Sequence, residues 1–159
     1  IYAKGKRNST FTEYYQDGVT PRKETPMQQG KIDGTVKTYF RNGKIEAEKE
    51  YKQSVESGRE RRFDSKTGEQ IFESHYIDGK KDGEEWEIFE DASTLRSRII
   101  RHYRNGKLDG SYRVESTRDG KPYITIEGQY TDGEKSGQWI EHNYDNNTQT
   151  CTWHGEGGA

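Results

Sequence analysis

YRNGKLDGSYRVESTRDGKPYITIEGQYTDGEKSGQWI, Tyr103 to Ile140, contains the pattern that decides the fold. It opens on an aromatic, an Asn-Gly turn, a short polar bridge and a second Gly (YRNGKLDG), and YTDGEKSG repeats that order from Tyr130. Working outward, YIDGKKDG starts at Tyr76 and MQQGKIDG at Met27. Two degenerate copies complete the set. YKQSVESG starts at Tyr51 with Ser54 in place of the first Gly, and YAKGKRNS starts at Tyr2 with Ser9 in place of the second. The anchors Tyr2, Met27, Tyr51, Tyr76, Tyr103 and Tyr130 are spaced by 25, 24, 25, 27 and 27 residues. Trp153 follows 23 residues later and would open a partial seventh unit. Self-similarity at one such period is the signature of a repeat architecture.

Each unit reads as two strands. After the second Gly come aromatic-bearing polar stretches such as GTVKTYF, GEEWEIF and GQWIEHNY. Asp17-Gly18, Asn42-Gly43, Thr67-Gly68, Asp119-Gly120 and Asn146-Asn147 then mark hairpin turns, because such pairs tolerate positive φ. Return stretches such as EQIFESHY and PYITIEGQY lead to the next anchor, with Ile124, Ile126 and Gly128 alternating along one of them. DASTLRSRII, the best helix candidate, lacks an apolar stripe. The expectation is an all-β chain: an elongated antiparallel β-meander of repeated hairpins in a single twisted sheet, one domain over 1–159, stapled by stacked aromatics. Ser54 lacks the freedom of Gly, so its turn is expected to differ in shape.

Composition supports this reading. Ile 11, Leu 2, Val 4 and Phe 5 make up about 14% of the chain, too little for a globular helix bundle, while 19 aromatics are too many for a disordered chain. No stretch of about 18 apolar residues could form a membrane helix. Lys+Arg 26 against Asp+Glu 28 gives a net charge of −2, which removes the basic footprint of a nucleic-acid binder and disfavours contact with an anionic membrane.

The recurring aromatic, Asn/Asp-Gly-Lys, bridge, Gly and aromatic strand resembles the MORN-repeat variant, best in DGKKDGEEWEIFE and NGKLDGSYRVESTRDGK, then DGEKSGQWIEHNYDNN. The bacterial YwqK-family antitoxins are built from this variant. The resemblance runs from Tyr2 to about Trp153, departing at Ser9, Ser54 and the Gly-less turn over Asp91 to Thr94. It implies a bacterial, non-enzymatic module for protein–protein contact, with antitoxin- or immunity-like neutralisation of a partner protein as one use. A structural or cell-envelope surface repeat is the alternative, and a lipid-surface binder is a more distant one.

Chemistry-bearing residues form no convergent set. His75 and His102 each precede an anchor Tyr, where Glu50 and Gln129 stand in other units, so the repeat register accounts for them. Cys151 with His154 supplies two ligands where zinc needs three or four, His142 and Asp145 joining them only if the strands pair suitably, and nothing marks Cys151 as an activated nucleophile. The sequence therefore nominates no catalytic, cofactor-binding or metal-binding residue, and no cofactor. The candidates for partner contact are Trp86, Tyr112 and Trp139, which follow the second Gly of their units by three, two and two residues. The expected partner is a protein. The chain begins at Ile1, not Met, which tilts the expected compartment toward the cell envelope or secretion, with the cytoplasm still open.

Overall fold

A computed structural model of the chain describes residues 8–90 and 95–155. The chain divides into two compact units, Ile1–Lys80 and Lys81–Ala159, whose boundary falls inside the GKKDG bridge. Both units are built from the same hairpins.

The first unit is an antiparallel meander of β1 (Asn8–Tyr14), β2 (Pro21–Gln28), β4 (Gly34–Tyr39), β5 (Ile45–Lys52), β6 (Val55–Phe63) and β7 (Gln70–Ile77), with the two-residue β3 (Lys31–Ile32) paired to β2. The two-residue β8 (Lys80–Lys81) lies at the division. The second unit runs through β9 (Gly83–Glu90), β10 (Arg96–Arg104), β11 (Lys107–Arg118), β12 (Lys121–Thr131), β13 (Glu134–Asn143) and β14 (Thr148–His154), each paired antiparallel to the next. No helix occurs among the described residues. The all-β hairpin meander read from the sequence is the fold. The Asp91–Thr94 turn and the start of the first repeat at Tyr2 lie outside the described residues.

The two glycines of a unit do different work. Asn105 and Gly106 have φ of 50° and 83°, so both residues of the turn are left-handed, and the Gly106 N–H donates to the Lys81 carbonyl at 2.8 Å. The same bond runs from Gly133 to Leu108 and, in the first unit, from Gly79 to Glu56. Each turn is therefore tied to the preceding repeat. The second Gly lies at a break in pairing: between Arg101 and Tyr103 the register jumps from Tyr112 to Leu108, and Gly110 there has φ 116°, a bulge conformation suited to Gly.

Two sequence expectations are corrected. Ser54 does not change its turn: Gln53 and Ser54 have φ of 51° and 67°, and the Ser54 N–H donates to the Ile32 carbonyl at 2.7 Å, as a Gly would. Its hydroxyl accepts the Ile32 N–H at 3.0 Å, a local bond that offsets part of the cost of a left-handed Ser. The alternation of Ile124 and Ile126 is also broken. A register shift pairs Ile126 with Val114 but Ile124 with the adjacent Glu115, and those two β11 residues point to opposite faces.

Candidate functional site

Strand pairing sets which side chains share a face. The residue two after the second Gly opposes the residue two before an anchor. In the first unit this gives a row of Val36, Lys49, Glu60 and Ser74. In the second, Glu85 opposes Arg101, Arg101 opposes Tyr112, and Tyr112 opposes Gly128, with the Trp139 ring lying over Gly128. This is the inward row. Val36, Glu60, Ser74, Glu85 and Trp139 are all buried, and Glu85 is wholly so.

Charge at this row is held by partners. Glu60 takes two hydrogen bonds from Arg62, at 3.0 and 2.7 Å, and one from the Tyr76 hydroxyl at 3.0 Å, with Lys49 Nζ at 3.3 Å. Lys49 also reaches Glu56 at 2.6 Å and lies 4.4 Å from the Tyr76 ring centre. Burial pushes the Glu60 carboxyl up, but Arg62 and Lys49 outweigh it and hold it below the ordinary carboxylate range. Lys49 is likewise opposed by burial, yet Glu56 and Glu60 raise it. The Tyr76 hydroxyl is pushed up to about 12 by burial and by Glu60. In the second unit Arg101 bonds Glu85 at 2.6 Å, and Lys81 pairs with the same carboxylate. Burial opposes the Arg101 charge, and Glu85 more than restores it.

The three aromatics proposed from the sequence do not act together. Tyr112 and Trp139 belong to the inward row and pack with Tyr130, with ring centres 5.3 Å (Tyr112–Trp139), 5.7 Å (Tyr112–Tyr130) and 5.2 Å (Tyr130–Trp139) apart. The Trp139 indole N–H donates to the Gln129 carbonyl at 3.1 Å, and burial raises the Tyr112 hydroxyl. Trp86 stands three residues after its Gly and so faces the other way. It opposes Ile100, with the Arg98 guanidinium 4.5 Å from its ring centre. One residue of offset reverses the face of a strand side chain.

On that opposite face an open groove of about 590 Å³ is lined by Ile100, Arg113, Glu127, Ile140 and, at its sides, Glu84, His102, Ser111 and Gln138. Pairing places Ile100, Arg113, Glu127 and Ile140 in one row across β10 to β13. Glu127 bonds His142 at 3.0 Å. His102 Nδ1 meets the Ser111 hydroxyl at 3.0 Å and the Ser111 carbonyl at 3.2 Å, while its Nε2 is 3.6 Å from Glu84. Which atom donates follows the imidazole tautomer: with the proton on Nδ1 it goes to the Ser111 carbonyl, and with the proton on Nε2, toward Glu84, Nδ1 accepts from the Ser111 hydroxyl.

Of the remaining residues singled out from sequence, His75 sits 3.6 Å from Glu73, and Cys151 is exposed on β14. Cys151 and His154, three apart on one strand, point to opposite faces. Among the described residues no group of three His, Cys, Asp or Glu side chains could hold a metal ion. Sequence reasoning missed Glu60 and Glu85, and the signal was available: both stand two residues after a second Gly, as Tyr112 and Trp139 do. The fold and this face define an open antiparallel β-repeat protein. No family model and no curated protein matches the chain.

Proposed function

We propose that the chain is a non-enzymatic protein–protein interaction module built from MORN-variant repeats, acting as an antitoxin or immunity protein does by stoichiometric capture of a partner protein. The observation that carries this reading is the groove of the second unit. Ile100 and Ile140 stand at the two ends of its central row with Arg113 and Glu127 between them, and Glu84, His102, Ser111 and Gln138 line its sides. An open face that mixes apolar and charged side chains has the make-up of a non-obligate protein contact, whose surface is about as apolar as the rest of a protein's exterior. The groove is open to solvent, which suits a protein surface more than a small molecule. Trp86, on the same face as Ile100, extends the apolar area, while Tyr112 and Trp139 stiffen the sheet behind it.

The experiment places a photo-crosslinking amino acid at Ser111 or Gln138, both exposed, and at Thr152 on the inward face as a control. The expected result is one protein crosslinked from Ser111 and Gln138 in a one-to-one complex, with Ser111→Arg and Gln138→Arg weakening that complex and leaving the melting temperature unchanged. Crosslinking confined to Thr152, or a complex indifferent to both arginine variants, overturns the reading.

A further inference from the structure

Arginines on these strands are held by carboxylates. Arg61 bonds Glu48 at 2.7 Å, Arg62 bonds Glu60 at 2.7 Å, Arg101 bonds Glu85 at 2.6 Å and Arg113 bonds Glu115 at 2.8 Å. Arg98 on β10 differs. Glu115 stands directly opposite it in the pairing of β10 with β11, yet turns to Arg113 on its own strand. No ion pair among the described residues includes Arg98, and its buried Nε has no hydrogen-bond partner. A charged donor left without an acceptor costs stability. With 28 acidic residues in the chain, the omission is not for want of carboxylates. What the chain gives this guanidinium is the Trp86 ring, whose centre lies 4.5 Å away. Arg98 is two residues along β10 from Ile100 and opposite Ile88 of β9, so it shares the groove face with both.

We propose that Arg98, lying over Trp86, receives an aspartate or glutamate side chain of the partner protein. This pairing rests on the reading of the groove face as a protein contact and adds what that contact selects. An aromatic ring covers the flat face of a guanidinium and leaves its N–H edge for a planar acceptor, which the two oxygens of a carboxylate match. Trp and Arg are also the residues most enriched where the binding energy of a protein contact concentrates. Ile88 and Ile100 flank the pair with apolar surface, and a charged hydrogen bond is stronger where water is kept away. Glu115 and Glu127 lie on the same face and oppose a polyanion such as a nucleic acid, so a single carboxylate fits where a chain of phosphates does not.

A library of short random peptides displayed on phage, selected against the 159-residue chain, tests it. The expected peptides carry Asp or Glu beside an apolar residue, and Arg98→Met weakens their binding at least about tenfold. Arg98→Lys keeps the charge but loses the planar fork, and should recover only part of that loss. Replacing the peptide's acid by its amide should weaken binding to wild type equally and change nothing on Arg98→Met, as a direct pair requires. The methionine keeps an apolar stem over Trp86, so the melting temperature of Arg98→Met should not fall, which separates a lost contact from a lost fold. A selection that yields no binder, or only peptides without an acid, overturns the proposal. So does displacement of the acidic peptides by an equal concentration of inorganic phosphate, which would make the anion a phosphate. Peptides lost with Ser111→Arg but kept with Arg98→Met overturn the arginine's role alone, and peptides kept with both variants overturn it together with the reading of this face.

Discussion

Two residues past the second glycine of its repeat, Glu60 is buried among Lys49, Arg62 and Tyr76, whereas Trp139, at the same repeat position, is buried against Tyr112 and Tyr130. The residue facing each position is chosen to match. Lys49 opposes Glu60 and gives it a charge, while the backbone of Gly128 gives the Trp139 ring room that any Cβ would occupy. One backbone plan thus accepts two kinds of interior. The two kinds differ in energetics. A buried ion pair gains little over an apolar pair of similar size, because desolvation consumes most of the attraction, but losing one member strands the other. A buried tryptophan contributes through area and ring contacts directly.

Truncation at the aromatic end should have the largest effect. Trp139→Ala is expected to cost about 3–4 kcal/mol, read by urea unfolding. Amide exchange should show the loss concentrated in β12 to β14, since each repeat contacts its neighbours. A loss under about 1 kcal/mol would show that the ring is not the local core.

At the charged end, Glu60→Ala should cost about 2 kcal/mol by leaving Lys49 and Arg62 without their shared carboxylate. The double variant Lys49→Met/Glu60→Leu should recover most of that loss. If the double variant is the worse of the two, the pair itself supplies net stability and the contrast with Trp139 disappears.

Acid sharpens the same contrast without mutation. The Glu60 carboxyl lies below its ordinary 4.5, so its stabilisation is present above that value and disappears as pH falls through the depressed one. Lys49 is raised above its ordinary 10.5, so its contribution is present below that value and is lost as pH climbs through the raised one. Tyr76 adds a loss between its ordinary 10.0 and about 12. Amides of β5 and β6 should therefore lose protection at both extremes of pH. Those of β13 around Trp139 should change far less, and equal loss in both places would remove the distinction.

The turns provide the smallest effect and its counterpart. Gly106→Val forces a β-branched residue to φ 83° and should cost about 2 kcal/mol. Ser54→Gly relieves a left-handed Ser but removes the hydroxyl bond to Ile32, so its stability should shift by less than about 0.5 kcal/mol. A gain above about 1 kcal/mol would mean that the Ser54 hydroxyl bond contributes nothing.

Much of this architecture was legible in the chain. The spacing of aromatic and glycine anchors determined the hairpins, the antiparallel meander and the left-handed turns at Gly79, Gly106 and Gly133, because turn geometry depends on local φ preferences that a short stretch expresses by itself. Which face a residue takes, and what it meets there, was decided only by the tertiary structure. Trp86, Tyr112 and Trp139 group together as contact aromatics, yet the one-residue offset of Trp86 from its second Gly sends it to the groove face. The bulges at the second glycines and the shift at Val114–Glu115 reset the alternation, separating Ile124 from Ile126. The position of Glu85 two residues after its second Gly marks it for the inward row, but only the pairing of β9 with β10 places Arg101 beside it. Local chemistry sets the turns, whereas burial depends on register, a relation between strands that no single stretch of sequence contains.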